Sequence, residues 1–259
     1  MAKAKTRADV LLVERGLAPS RQRAQALILA GKVFAGDRRV DKAGEQIVEG
    51  VGLTVRGEDH PYVSRGGVKL QGALDAFGLD PAGVVAADFG ASTGGFTDCL
   101  LQRGAARVFA IDVGYGQLAD RLRRDERVVV MERQNARHLK PDDLPGAAGG
   151  VDWVVIDASF IGLSKLLPAA QAVLREGGQV VALVKPQFEV GKEQVGKGGV
   201  VRDAAVRAAA IEAAAADAAR LGFSVRGRAD SVLPGPSGNR EAFLWLQRLS
   251  VPAAPGRPG

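Results

Sequence analysis

Residues 84–96 read Val84-Val85-Ala86-Ala87-Asp88-Phe89-Gly90-Ala91-Ser92-Thr93-Gly94-Gly95-Phe96. An apolar run ends in an acid and passes into a glycine-rich loop. A continuous apolar run of this length suits a strand buried on both faces of a parallel sheet. Glycines in the turn let backbone approach a ligand with no Cβ in the way. The residues after the loop, 95–103, are predicted to be helical. Strand, loop and helix in this order are the first unit of a doubly wound α/β sheet, whose ligands lie beyond the carboxyl ends of the strands.

The alternation continues along the chain. Apolar runs at Val84–Ala87, Val108–Ile111, Val128–Met131, Trp153–Ile156 and Val180–Val184 predict strands, and Ala242–Leu246 predicts a closing one. Helices are predicted at 64–77 with Ser64 as cap, at 115–124, at 162–175, and at 203–221 between Asp203 and Gly222. Upstream lies a smaller module. Two short helices, 7–16 and 20–31, have Ser20 as an N-cap, with Gly16 and Gly31 at the C-cap positions. Brief β-like runs follow at 32–34, at 38–40 across a Gly36-Asp37 turn, and at 53–55. The expected division is a small α+β domain over 1–59, a linker at 60–63, the α/β domain over 64–249, and a disordered Pro/Gly tail at 250–259.

Charge follows the same division. Residues 1–42 carry ten Lys and Arg against four Asp and Glu, and the whole-chain totals of 35 and 29 leave 25 of each for the remainder. The formal net charge of +6 therefore sits in the small module, which suggests a polyanionic partner. The single cysteine, Cys99, excludes an intrachain disulfide and fits a reducing compartment. No apolar run approaches the roughly 20 residues of a membrane span. The N-terminal lysines have no apolar stretch behind them, so no signal peptide is read. The expectation is a soluble, cytoplasmic protein. His60 and His138 stand apart from any Cys/His cluster, and no metal site is expected.

The loop narrows the ligand. A dinucleotide-binding loop calls for G-x-G-x-x-G, and here Ser92 takes the place of the middle glycine. The second strand ends in Ile111-Asp112, where a carboxylate can accept hydrogen bonds from both hydroxyls of an adenosine ribose. Loop and acid alone do not separate NAD from S-adenosylmethionine, nor either of them from an ordinary strand–helix turn. Asp157 and Lys185 fall just beyond the ends of two predicted strands, Lys69 lies on the helix entering the domain, and Glu241 precedes the last strand. Two lysines and two carboxylates in one cleft would satisfy each other's charge. Such a setting also tunes a lysine away from its ordinary pKa of about 10.4. Four unconnected surface charges would give the same spacing.

Three segments together resemble one family: Ser64-Arg65-Gly66-Gly67-Val68-Lys69-Leu70, Asp88–Asp98, and Val184-Lys185-Pro186-Gln187-Phe188-Glu189. They are similar to those of the TlyA family of ribosomal RNA 2′-O-methyltransferases, often labelled haemolysins, whose catalytic domain is FtsJ-like and Rossmann-like. The N-terminal module resembles the S-four-type RNA-binding domain through Ser20-Arg21-x-x-Ala24 and Gly31-x-Val33. The resemblance implies a catalytic set of Lys69, Asp157, Lys185 and Glu241. It implies S-adenosyl-L-methionine held by Asp88, Gly90, Ala91, Ser92, Thr93, Gly94, Gly95, Phe96 and Val113, with Asp112 on the ribose and Asn135 and Ala136 near the adenine. The implied substrate is ribosomal RNA within ribosomal subunits, with no membrane and no obligate protein partner. Arg7, Arg15, Arg21, Arg23, Lys32, Arg38 and Arg39, joined by Arg65, are the candidates for gripping RNA phosphates. The Gly- and Lys-rich 190–201 is read as either a lid or a plain loop. Two alternatives are a non-catalytic protein that binds RNA and cofactor, and a haemolysin-like membrane activity.

Overall fold

A computed structural model describes residues 5–18, 20–48, 50–55, 60–235 and 237–249. The expected tail at 250–259 lies outside the described residues. The chain forms two compact units, Met1–Asp59 and His60–Gly259.

The first unit pairs β1 (Lys5–Arg7) with β4 (Gln46–Val48), and runs β3 (Arg38–Arg39), β2 (Val33–Ala35) and β5 (Leu53–Val55) as a second small sheet. Helices α1 (Ala8–Glu14) and α2 (Arg21–Leu29) pack with these strands around Leu12, Ala24, Leu27, Ile28, Val33 and Ile47. Ser20 Oγ accepts from the Arg23 amide at 3.2 Å, the expected N-cap. Gly16 and Gly31 both take φ +68°, a left-handed turn that side chains rarely adopt. Strands β1 and β4 were not expected. Each has three residues and depends for its existence on its partner rather than on its own pattern.

The second unit is a seven-stranded sheet in the order β11-β12-β10-β9-β6-β7-β8. Its strands are β6 (Val85–Phe89), β7 (Arg107–Asp112), β8 (Val128–Glu132), β9 (Val151–Ile156), β10 (Leu174–Val184), β11 (Phe223–Asp230) and β12 (Ala242–Arg248). The first five are mutually parallel, and β12 and β11 complete the sheet antiparallel. Alternate residues feed two cores. Val154 and Ile156 of β9 face one layer, whereas Trp153 and Val155 face the other. From central β6 the chain steps outward to β7 and β8, then returns to β9 on the other side. The crevice between β6 and β9 is thus the topological switch point.

Helices α3 (Arg65–Phe77), α4 (Gly95–Gln102), α5 (Asp120–Arg123), α6 (Leu167–Val173), α7 (Pro186–Glu189) and α8 (Ala204–Arg220) connect and cover the strands. Asp203 caps α8 by accepting from the amides of Ala205 and Val206. Ser64 occupies the N-cap position of α3, but its side chain makes no capping bond. The helix expected at 115–124 shrinks to α5, because Gly114-Tyr115-Gly116 folds back on Asp112 and Glu132 instead. Residues 60–63, expected as a linker, belong to the second unit. Tyr62 is buried, and the Val63 amide donates to Asp98 at 2.7 Å. The 190–201 segment is tied down at its end: Asn239 accepts from the Val201 amide and donates to Gly199 O.

Close backbone approach sets the start of α3. A Cβ on Gly67 would lie 2.3 Å from Tyr62 Cγ, and one on Gly95 would lie 2.3 Å from Ser64 Oγ and 2.9 Å from the Gly67 nitrogen. Glycine at these points lets the N-termini of α3 and α4 meet. Gly67→Ala has no escape for the buried Tyr62 ring and is expected to destabilise by about 1–3 kcal/mol. Urea unfolding of the variant beside wild type measures the loss.

Candidate active site

Register places the charged residues at one end of the sheet. Val184 of β10 pairs with Ala242 of β12, so Lys185 and Glu241 each lie one residue past that last pair, on neighbouring strands. Ala182 pairs with Ile156 of β9, which puts Asp157 beside the same strand end. Within this region Lys185 Nζ lies 2.7 Å from Asp157 Oδ1 and donates to Ser159 Oγ at 2.8 Å. Lys69 Nζ lies 2.5 Å from Glu241 Oε2. Both members of this second pair are buried, at 6% and 1% exposure. Removing one partner of such a pair strands a charge in low dielectric, so each fixes the other. The two pairs adjoin through α3: a Cβ on Gly66, one turn before Lys69, would come 3.7 Å from Asp157 Oδ2. Glu241 Oε1 is buried without a hydrogen-bond partner among the described residues.

Beside Asp157 a cavity of about 460 Å³ opens at the switch point. Gly90, Ser92, Asp112, Val113, Asn135, Ala136 and Asp157 are among the residues that line it. Asp112 is oriented by backbone: Oδ2 accepts from the Ser92 amide at 2.8 Å and Oδ1 from the Gly114 amide at 2.6 Å. Asn135 caps a short turn by accepting from the Arg137 amide at 3.1 Å.

Half of the expected cofactor set does not line this cavity. The amides of Gly90 and Ala91 are taken by Ile111 O, at 2.9 and 3.1 Å. Gly94, at φ +94°, is the N-cap of α4, and a Cβ there would strike Leu122 at 2.3 Å. Gly95 is spent on packing against α3. The buried Phe96 ring stacks on Phe243 with centroids 6.0 Å apart. Thr93 is exposed, and its carbonyl accepts from the Ala119 amide. Asp88 lies inside β6 rather than at its end, fully buried, with Oδ2 accepting from the Thr97 amide at 2.9 Å and from Thr97 Oγ1 at 2.7 Å. Asp88, Ala91, Gly94, Gly95 and Phe96 are buried beside the cavity rather than lining it.

Two neighbours went unread in the sequence. Ser159 holds Lys185. Phe160 is 91% exposed on the cavity rim, packs its ring 5.3 Å from that of Phe188, and has φ +67°. A bulky residue at positive φ costs of order 1–3 kcal/mol, and such strain gathers at functional sites. Both lie within three residues of the strand-end Asp157, and neither residue type marks a site in the sequence.

Among the RNA candidates in the first unit, Arg38 pairs with Glu45 at 2.5 Å, Arg39 with Asp41 at 2.7 Å, and Arg15 donates to Val51 O at 2.8 Å. Arg7 and Arg21 share Asp9. Arg23 and Lys32 are half-buried. In the second unit Arg65 is exposed and donates to Pro234 O. Burial pushes the Cys99 thiol up to about 12, so it serves packing. Among the described residues no three His, Cys, Asp or Glu are grouped to hold a metal, and no helix is long and apolar enough to cross a membrane.

A family model of FtsJ-like methyltransferases matches residues 62–248, and one of S4 domains matches residues 6–51. The chain belongs to the FtsJ-like methyltransferase family. Mycobacterium tuberculosis TlyA, a 16S/23S rRNA (cytidine-2′-O)-methyltransferase, is 52% identical over 244 residues, covering 94% of this chain and 90% of that one. Hemolysin A of Brachyspira hyodysenteriae is 40% identical over 187 residues, 71% of this chain and 75% of its own. A solved hemolysin-named structure from Streptococcus thermophilus superposes with a TM-score of 0.75 at 45% identity, covering 97% of this chain and 91% of that one.

In this FtsJ-like methyltransferase, Asp88 carries a pH signature. Burial, with Asp157 and Asp112 nearby, pushes its carboxyl up to about 7 against the Thr97 hydrogen bonds. A raised folded value means the folded state holds the proton that the unfolded state has released. The stability this gives is complete below about pH 4 and is lost as pH rises toward 7, at about 1.4 kcal/mol per pH unit. Asp88→Asn lacks this slope. Relative to wild type it is expected to gain about 2–3 kcal/mol between pH 5 and pH 8, read from urea unfolding at both values.

Proposed function

We propose that the protein methylates the ribose 2′-oxygen of cytidine in ribosomal RNA, using S-adenosyl-L-methionine and acting on ribosomal subunits. The observation that carries this reading is the pair of lysine–carboxylate contacts, Lys185–Asp157 and Lys69–Glu241, beside the switch-point cavity. The reaction named for the 52% identical relative supports it.

The residues present fit the cofactor. A cavity of about 460 Å³ is in the range of small-molecule sites. Asp112 offers a backbone-oriented carboxylate to ribose hydroxyls, Ile111, Val113 and Ala136 offer apolar surface to a purine, and Asn135 adds a polar edge. S-adenosyl-L-methionine supplies, when bound, a methyl group on a sulfonium centre. The protein's task is then to hold a 2′-hydroxyl in line and relieve it of its proton. Lys185 Nζ, oriented by Asp157 and Ser159, is the group assigned to that proton: in its neutral amine form the nitrogen lone pair accepts it, and Asp157 pairs with the ammonium so formed. Lys69 and Glu241 are assigned to the ribose side of the site, where Glu241 Oε1, buried against Gly235, has no hydrogen-bond partner among the described residues. A nicotinamide or a base-methylating reaction would have no use for two buried lysines paired in this way. The first unit supplies phosphate contacts, which position RNA without reading its sequence.

Transfer of labelled methyl to unmodified ribosomal subunits tests the reading. Wild type is expected to leave label in a 2′-O-methylated cytidine after digestion. Lys185→Ala is expected to lower transfer at least 100-fold, on the order of a lost general base, while cofactor affinity stays within about twofold. Asp112→Ala is expected to do the reverse, weakening cofactor binding first. Label in a base, or none in either subunit despite cofactor binding, overturns the proposal.

A further inference from the structure

Two arginines of the first unit, Arg7 and Arg21, meet at one buried acid. Asp9 has 0% exposure. Its Oδ1 accepts from Arg7 Nε at 3.0 Å. Its Oδ2 accepts from Arg7 Nη2 at 3.1 Å, Arg21 Nη2 at 3.0 Å and Gln25 Nε2 at 2.9 Å. These donors hold the carboxyl well below the usual carboxylate range, with the Arg7 contact the largest cause. Because both arginines reach the same oxygen, their Nη2 atoms lie within about 6 Å of each other.

Neither arginine is consumed by this contact. Their side chains remain 46% and 57% exposed, and each guanidinium has five N–H donors in a rigid fork. Arg7 is also backed by main chain: a Cβ on Gly44 would come 3.3 Å from Arg7 Nη1. A flexible arginine loses rotamer freedom when it captures a ligand, and holding it in place beforehand removes that cost.

We propose that Asp9 is a positioning residue that sets Arg7 and Arg21 side by side as one receptor for a phosphate of the RNA backbone. The inference rests on the RNA reading above and adds the part played by the acid. Its sign is opposite to that of simple electrostatics. If charge alone governed binding, deleting a carboxylate from a basic surface would tighten RNA. If Asp9 aligns the fork, deleting it loosens RNA.

The experiment is filter binding of Asp9→Asn and wild type to unmodified ribosomal subunits across a salt series, with thermal unfolding as the fold control. Asp9→Asn is expected to bind on the order of tenfold more weakly. Its plot of log affinity against log salt is expected to be shallower by about one unit. In methyl transfer the loss is expected in KM rather than kcat. Added to an Arg7→Ala/Arg21→Ala double variant, Asp9→Asn is expected to cost nothing more, since it acts through those side chains. Equal or tighter binding by a folded Asp9→Asn overturns the proposal. Should that variant fail to fold, Arg21→Lys decides: it keeps the charge and loses the fork, so unchanged affinity overturns the proposal and a several-fold loss supports it. Failure of the wild type to bind subunits would instead sink the RNA reading itself.

Discussion

The ion pair between Lys185 and Asp157, with its neighbour between Lys69 and Glu241, is the constraint that the second unit is built to satisfy. Ammonium groups at the end of a buried sheet survive only if carboxylates meet them at hydrogen-bond range. That requirement reaches back into the backbone. A one-residue slip of β10 against β12 would turn Lys185 to the other face of the sheet and separate it from its partners. The antiparallel β12, unlike the parallel strands beside it, brings Glu241 to this end by entering the sheet here. Register, and not the strength of any one contact, makes the cluster.

Glycine packing supplies the fourth member. Lys69 rides on α3, which is outside the sheet and has no register to place it. What fixes it is the contact of backbone on backbone at Gly66, Gly67 and Gly95, where even a methyl group would meet neighbours under 3 Å at the last two. The glycine loop therefore works in two directions. Gly90 and Ser92 face the cavity, while Gly94 and Gly95 draw α4 against α5 and α3. Asp88, inside the central strand β6, and Phe96, in the first turn of α4, are both buried in the core.

Much of the architecture was legible because buried parallel strands have a pattern that little else shares. The runs at 108–111, 153–156 and 180–184 lie within observed strands, and Asp112, Asp157 and Lys185 just at or past their ends mark the crevice. Edge strands lack that signal. Phe223-Ser224-Val225-Arg226-Gly227-Arg228-Ala229-Asp230 alternates weakly and carries two arginines, as an edge with one solvated side does. Lys69 and Glu241 were visible as residues, but that they meet was not: 172 positions separate them, and only the folded sheet closes that distance. Ser159 and Phe160 were missed for a different reason, since a serine and an exposed phenylalanine after a strand end have no pattern at all.

Acids recur as the fixing element even though the chain is basic overall. Asp157 aims Lys185, Glu241 aims Lys69, and Asp9 aims two arginines in the other unit. Net charge determines how strongly an RNA is drawn in from a distance, and salt weakens that pull. It says nothing of where a guanidinium or an ammonium stands on arrival. A buried carboxylate lowers the net charge by one and returns a cation of defined position, a favourable exchange wherever geometry limits the rate or the fit. On the proposed function the two units solve different problems, gripping a backbone and aligning a hydroxyl, with the same pairing of a buried acid and a cation: Asp9 with half-exposed Arg7 and Arg21, and Glu241 with buried Lys69.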